Sequence, residues 1–421
     1  MKHALVFCLI AVGQLALAQP AKVVLRGTPA VEAAIRFAAQ KPEGELTPAD
    51  LKKVTRLGLA GKHINANDLK LLAGCTELRQ LWLYHNNINN VTALSALTKL
   101  ETLYLDGNQI TDLTPLAKCT NLKSLYLNEN RLQKIAPLSS LRQLRDLNLW
   151  SNQIADLAPL APLTQLHTLT LNGNRIKDLR PLAGLRQLRT LNLSQNQIMD
   201  LTPLAGLAAL EHLQLQNNQI QNLGPLANLR QLKVLSLANN RGGNQPPMNL
   251  APLANLTQLT ELELMNNQLV ELQPLANLTE MRTLTLMGNQ VTNLTSLARM
   301  TKLNELSLIH NPKLNVPEIS KLQNAIPKCH IHHNSTQTEI KFINHTPGPI
   351  TIRWVNFAGE LQTYKDNLPA NELYQQHTFV GHQWVIFDQD KKELGRTFGI
   401  GRVVLWSVTE KGLKPVVQKK P

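Results

Sequence analysis

From residue 57 to residue 314 the chain repeats itself with a period of 22 residues. Three consecutive copies, beginning at Leu100, Leu122 and Leu144, read LETLYLDGNQITDLTPLAKCTN, LKSLYLNENRLQKIAPLSSLRQ and LRDLNLWSNQIADLAPLAPLTQ. A unit this short cannot bury its own apolar face. It buries that face only by stacking on the next unit, so the chain must form a solenoid. Within a copy, Leu103 and Leu105 flank Tyr104 at strand spacing, which sends the leucines inward and the tyrosine outward. An asparagine follows each strand, at Asn86, Asn108, Asn130, Asn152, Asn174, Asn196, Asn218, Asn240, Asn267, Asn289 and Asn311. It falls at a turn inside the coil, where backbone N–H and C=O groups need partners. Its amide offers both a donor and an acceptor. The D-L-x-P-L run that follows begins the return on the convex side.

The pattern LxxLxLxxNxIxDLxPL resembles the leucine-rich-repeat family, most closely the short bacterial class seen in internalins. The expected fold is a leucine-rich-repeat solenoid, with parallel β-strands and short helical or irregular convex returns, followed by a small β-sandwich. Outward strand positions then line a concave surface. The five aromatic residues of the repeat region, Trp82, Tyr84, Tyr104, Tyr126 and Trp150, all fall on it. Trp82, Tyr104 and Tyr126 share one column, and Tyr84 and Trp150 lie in the next. Rings left in water are costly unless something covers them, and Trp and Tyr dominate binding hot spots. These five are therefore the candidate ligand-binding face. The competing reading is that they stack on one another to stiffen the strands nearest the cap. Glu261, Glu263 and Glu305 would give the same face an acidic end. A protein ligand is expected ahead of a glycan, which aromatic faces also stack.

Solenoid ends expose core and need caps. Residues 19–56 read as an N-terminal helical cap, with Val31, Ile35 and Ala38 on one face and a helix start at Thr47-Pro48-Ala49-Asp50. At the other end Val316, Ile319, Leu322 and Ile326 have helical spacing, and His330 to His333 reads as a last strand. This places the solenoid with its C-terminal cap at residues 57–335. One spacing breaks the period: Asn240 to Asn267 carries five extra residues, within Arg241-Gly242-Gly243-Asn244-Gln245-Pro246-Pro247. Surface insertions of this kind are tolerated cheaply.

Residues 1–18 read as a signal peptide. Lys2 and His3 precede an apolar run from Ala4 to Leu17, and Ala16-Leu17-Ala18 forms a cleavage site, so the product is expected to be secreted or periplasmic. No segment is apolar enough to span a bilayer. The net charge is +14 and the pI about 9.7. The cations recur along the solenoid, as at Arg142, Arg145, Arg186, Arg189 and Arg230, without a nucleic-acid-binding motif, so no nucleic-acid partner is expected. Of the cysteines after the leader, Cys75 and Cys119 lie two repeats apart. At ~4.8 Å per coil that is about 9–10 Å, too far for a disulfide, which leaves buried thiols.

Past residue 335 the leucine period gives way to β-branched and aromatic alternation. Seven strands are expected in residues 336–421, at Glu339–Asn344, Ile350–Phe357, Leu361–Tyr364, His377–Val380, Gln383–Asp388, Thr397–Ile400 and Val403–Val408. This stretch resembles the β-domain of the von Hippel-Lindau tumour suppressor. The match runs through Phe342-x-Asn344-x-Thr346, Trp354-Val355-Asn356-Phe357-x-Gly359-Glu360, Tyr364, Leu368-Pro369, His377-Thr378-Phe379-x-Gly381-His382-x-Trp384 and Asp388. The resemblance implies a pocket for a proline- or 4-hydroxyproline-bearing peptide. Trp354, Tyr364 and Trp384 would form its walls, Thr378 and His382 would read the hydroxyl, and His377 would supply a backbone contact. A proline without the hydroxyl would strand buried polar groups, which is how such a site discriminates. Thr378 stands where the family has serine, and the family's helical domain has no counterpart.

Enzyme signatures are absent: there is no G-x-S-x-G, H-E-x-x-H, P-loop or dinucleotide fingerprint. His330 and His332 would share a strand face, but without a second cluster at ligand spacing no metal is expected, and no cofactor. The sequence thus reads as a non-enzymatic interaction protein. The alternative is a surface adhesin or structural protein whose β-domain is only a stalk or cap.

Overall fold

In the computed structural model, which describes residues 29–240, 247–333, 337–355, 361–379, 382–398 and 404–416, the leucine period becomes a coil. Its thirteen three-residue strands run from β1 (Arg56–Gly58) to β13 (His330–His332), all parallel and hydrogen-bonded in chain order. The leader at residues 1–18 lies outside the described residues. So do residues 241–246 of the extra loop and the expected strand ends at 356–357, 380, 399–400 and 403.

Each coil turns at its asparagine as the amide chemistry requires. Asn174 Nδ2 donates to Leu149 O of the preceding coil and to Leu171 O of its own, both at 3.0 Å. Its Oδ1 accepts from Ile154 N at 2.9 Å. The same bonds recur from Asn86 to Asn311, so turns buried inside the coil leave few orphaned groups. The residue before the asparagine takes a left-handed conformation, with φ of 64° at Gly107, 66° at Gly173 and 54° at Gln195. Glycine adopts that conformation freely and the other residues at some cost.

The convex returns are short 3-10 turns such as Thr114–Lys118. Asp112 Oδ1 accepts from Thr114 N at 2.8 Å, and Asp156, Asp178 and Asp200 repeat the bond two residues on. Proline fills the first turn, where a missing N–H costs nothing. The extra length before Asn267 does not break the stack, since Leu235 still pairs with Leu262 and Asn267 Nδ2 donates to Leu237 O at 2.9 Å. Cys75 and Cys119 are free and buried, and burial pushes both thiols up to about 11.

The N-terminal cap is built from two helices, the second starting where the sequence placed it. Helix α1 (Pro29–Ala38) buries Val31 and Ile35 against the first coil. Helix α2 (Pro48–Leu51) opens with a capping box in which Thr47 and Asp50 bond to each other's backbone N–H. Asp50 also holds Lys41 and Lys53 at 3.0 and 2.9 Å. Helix α3 (Val316–Ala325) closes the other end with Ile319 and Leu322, and β13 completes the sheet.

The C-terminal region forms two four-stranded sheets. One is ordered β17 (Leu373–Phe379), β14 (Gln337–Asn344), β20 (Val404–Thr409), β21 (Gly412–Val416). The other is ordered β16 (Leu361–Leu368), β15 (Ile350–Val355), β18 (Gln383–Phe387), β19 (Glu393–Phe398). Phe342, Ile350, Ile352, Leu368, Trp384, Ile386 and Val408 pack into their core. This makes eight strands among the described residues, not seven. The missed strand, β21, carries Pro415 and lacks alternation, which an edge strand tolerates because no neighbour needs the missing N–H.

Candidate ligand-binding surfaces

Strands β2 (Gln80–Trp82), β3 (Thr102–Tyr104), β4 (Ser124–Tyr126) and β5 (Asp146–Asn148) align Trp82, Tyr104, Tyr126 and Asn148 in one column. The rings form a ladder. Trp82 and Tyr104 lie 6.1 Å apart and 11° from parallel, and Tyr104 and Tyr126 lie 4.4 Å apart and 4° from parallel. Tyr84 meets Tyr104 edge-on at 6.5 Å and is 37% exposed. Trp82, Tyr104, Tyr126 and Trp150 are each half-buried, and Trp150 makes no ring contact among the described residues. The rings therefore do stack on one another, which stiffens the strands, yet none is sealed. Burial, with Tyr104 and Asp146 alongside, pushes the Tyr126 phenol up to about 12. Asp106, next to the ladder, has its carboxyl raised by burial.

The acidic end expected at Glu261, Glu263 and Glu305 is largely engaged. Glu305 accepts from His330 Nδ1 at 3.1 Å and from His332 Nε2 at 2.8 Å, and Glu263 accepts from Ser236 Oγ at 2.6 Å. The histidines thus serve a carboxylate, and no group of three metal-ligating side chains is found among the described residues.

Sequence reasoning missed Phe37. It lies on α1 away from the Val31–Ile35 face, is 88% exposed, and borders a groove of about 620 Å³ that reaches Gly58 and Trp82. The signal was an apolar ring off the buried stripe of an amphipathic helix. Also missed were Asp106 and Asp146, visible only once outward positions are read column by column.

In the β-domain, five of the six singled-out residues meet across the two sheets. Trp354 and Tyr364 stand edge to face at 6.1 Å, and Tyr364 stands likewise against Trp384 at 5.2 Å. His382 lies 5.1 Å from the Trp354 ring. Tyr364 is 43% exposed, whereas Trp384 is 1% and Thr378 3% exposed, so the site has an open rim and a sealed floor. Trp384 Nε1 donates to Thr378 Oγ1 at 3.1 Å, and Thr378 Oγ1 lies 3.4 Å from His382 Nδ1. With its oxygen accepting from the indole, the threonine hydroxyl can donate to Nδ1, which fits a neutral imidazole. Burial, with His333 nearby, lowers His382 to about 4. His377 directly precedes Thr378 on β17, where it pairs with Glu339 of β14; its side chain is exposed. Asn344 fixes the adjoining loop, donating to Gly348 O and Leu368 O, both at 2.9 Å, and accepting from Thr346 N at 2.9 Å.

A curved parallel sheet with open rings on its inner side defines a leucine-rich-repeat scaffold, here joined to a β-sandwich. The family described as Leucine Rich repeats (2 copies) matches residues 76–118, 120–162, 164–206, 209–242 and 257–299. The VHL beta domain family matches residues 331–395. Among solved structures, an internalin (inlF) from Listeria monocytogenes is 33% identical with a TM-score of 0.67, over 72% of this chain and 90% of that one. The functional domain of InlJ from the same organism is 19% identical with a TM-score of 0.51, over 90% of this chain and 96% of that one. The plant peptide hormone receptor RGFR1, solved in complex with RGF2, is 21% identical with a TM-score of 0.53, over 69% and 53% of the two chains. A search of curated proteins returns no match. The chain belongs to the internalin-like leucine-rich-repeat proteins and carries a C-terminal VHL-like β-domain.

Proposed function

We propose that this is an exported, non-enzymatic binding protein that grips a macromolecular partner on its concave face. The observation that carries the reading is the half-open ladder of Trp82, Tyr104 and Tyr126, flanked by Tyr84 and Trp150. Rings of this size, rigid and partly desolvated, supply contact area at low entropic cost. The plant receptor solved with its hormone uses the same scaffold. Export rests on the leader read at residues 1–18, and no helix among the described residues is long and apolar enough to cross a membrane. The experiment is to flow the full chain over a panel of immobilised extracellular-matrix proteins. A partner retained by the native chain should be lost by Tyr104→Ala/Tyr126→Ala. Equal retention of both chains would remove the rings from the function.

The β-domain is the second binding element, holding a proline- or hydroxyproline-type peptide on Trp354, Tyr364, Thr378 and His382. The convergence of these side chains at an open rim supports this. A second reading, in which the domain is a stalk or cap, draws on the sealed Trp384–Thr378 bond. Titrating the full chain with matched proline and hydroxyproline peptides separates the two. A preference for hydroxyproline that disappears in Thr378→Ala supports the pocket, and no binding of either peptide supports the stalk.

A further inference from the structure

The concave face has a charge opposite to that of the molecule. From β2 to β12 (Glu305–Ser307), consider the two outward strand positions and the two residues after the third leucine of each repeat. None of them is Lys or Arg, although the chain holds 43 such residues. Six are carboxylates: Asp106, Glu129, Asp146, Glu261, Glu263 and Glu305. Cations stand instead on either side of these columns, as at Arg142, Arg145, Arg186 and Arg189 before the strands and Arg131 and Arg175 past the turn asparagines, all exposed.

The rings and carboxylates coincide at one place. Tyr126 is covered by Tyr104 on one face, and its other face looks along the sheet over Asn148. Asp146 lies beside that position on the same strand, held by Ser124 Oγ at 3.0 Å, whereas Glu129 lies on the coil of Tyr126 itself and Asp106 one coil back, on the Tyr104 side of the ring. None of these three carboxylates forms an ion pair among the described residues. Burial raises the Asp106 carboxyl, the cost of a half-buried charge that His85 nearby offsets only in part. An aromatic face beside uncompensated carboxylates attracts a cation twice, through the ring quadrupole and through Coulomb attraction. A planar guanidinium also stacks on the ring while it forks to a carboxylate.

We infer that the Tyr126–Asp146–Asp106 region is a subsite for an arginine or lysine side chain of a basic partner polypeptide. This rests on the concave face being the ligand surface and names the chemistry it selects. Charge contrast steers such a partner inward and turns away acidic ones.

The test titrates the full chain with an arginine-containing peptide and with its citrulline analogue, which keeps the shape and drops the charge, following Trp150 and Trp82 fluorescence. The arginine peptide should bind at least about tenfold more tightly at low salt, and the gap should close as salt rises from about 0.05 to about 0.5 M. Asp106→Asn/Asp146→Asn should erase the gap with unchanged melting, and Asn128→Lys should weaken the arginine peptide alone. Equal binding of the two peptides, or no arginine binding at millimolar concentration, overturns the cation subsite. The two claims fail separately. Loss of both peptides in Tyr104→Ala/Tyr126→Ala with no charge preference spares the ring surface and rejects the cation. Unchanged binding in that variant rejects the ring surface itself.

Discussion

Asn174 in the solenoid and Asn344 in the β-domain perform the same task. Each is buried, and each spends its amide on backbone groups that would otherwise lie unpaired inside the protein. The difference is redundancy. Asn174 is one rung of a ladder that runs from Asn86 to Asn311, with like bonds one coil away on either side. Asn344, helped only by Thr346 Oγ1 on Gly348 O among the described side chains, ties the end of β14 to the turn before β15 and to Leu368 at the end of β16. The solenoid therefore spreads its stability over neighbours that touch only neighbours. The β-domain concentrates its stability in a few long-range contacts, as the parallel pairing of β14 with β20 shows.

The largest effect should come from Asn344→Ala. It orphans several buried groups at about 1–3 kcal/mol each, for a total loss of about 3–5 kcal/mol. Urea unfolding read by near-ultraviolet circular dichroism should show the β-domain melting first. A loss under about 1 kcal/mol would refute its role as the tie between these strands. Asn174→Ala should cost about 2–4 kcal/mol by the same accounting, but as local fraying, seen as hydrogen exchange confined to the two adjoining coils. Exchange spreading along the whole solenoid would contradict the nearest-neighbour picture. Thr378→Val keeps the shape and removes the acceptor of the Trp384 indole, so a loss of about 1–2 kcal/mol is expected; no change would mean that water replaces the bond.

A milder probe is acid. His382 titrates near 4 in the fold against a usual value near 6.5, so the unfolded chain binds the extra proton between them. Its contribution is intact above about 6.5 and falls away as the pH drops towards 4. Melting of the β-domain between pH 7 and pH 4 should thus flatten in His382→Gln, while the solenoid's response stays the same. The smallest effect is Gln195→Gly, at φ 54°. Relief of the left-handed backbone slightly exceeds glycine's entropy cost, for a gain of roughly 0.5 kcal/mol. A loss of similar size would show that the Gln195 side chain matters more than its backbone.

The solenoid was legible because one unit dictates the next. Leu103 and Leu105 fix the strand, Asn108 fixes the turn, and stacking fixes the register. The β-domain's strands were legible as alternation, but β21 was not, since Pro415 hides an edge strand. The ring columns followed from the period alone. The sealing of Trp384 did not, because it depends on which sheet lies opposite. Asp106 was overlooked for a related reason: a carboxylate among rings gains meaning only when its column is seen to lack cations.

The most direct test is hydroxyl-radical footprinting of the full chain, alone and bound to a partner retained from the matrix panel. The rings of Trp82, Tyr84, Tyr104, Tyr126 and Trp150 should be protected in the complex, while exposed Met199, outside the strand columns, keeps its oxidation rate. Rings oxidised equally in both states, with protection appearing on the convex returns instead, would contradict the assignment of the concave face.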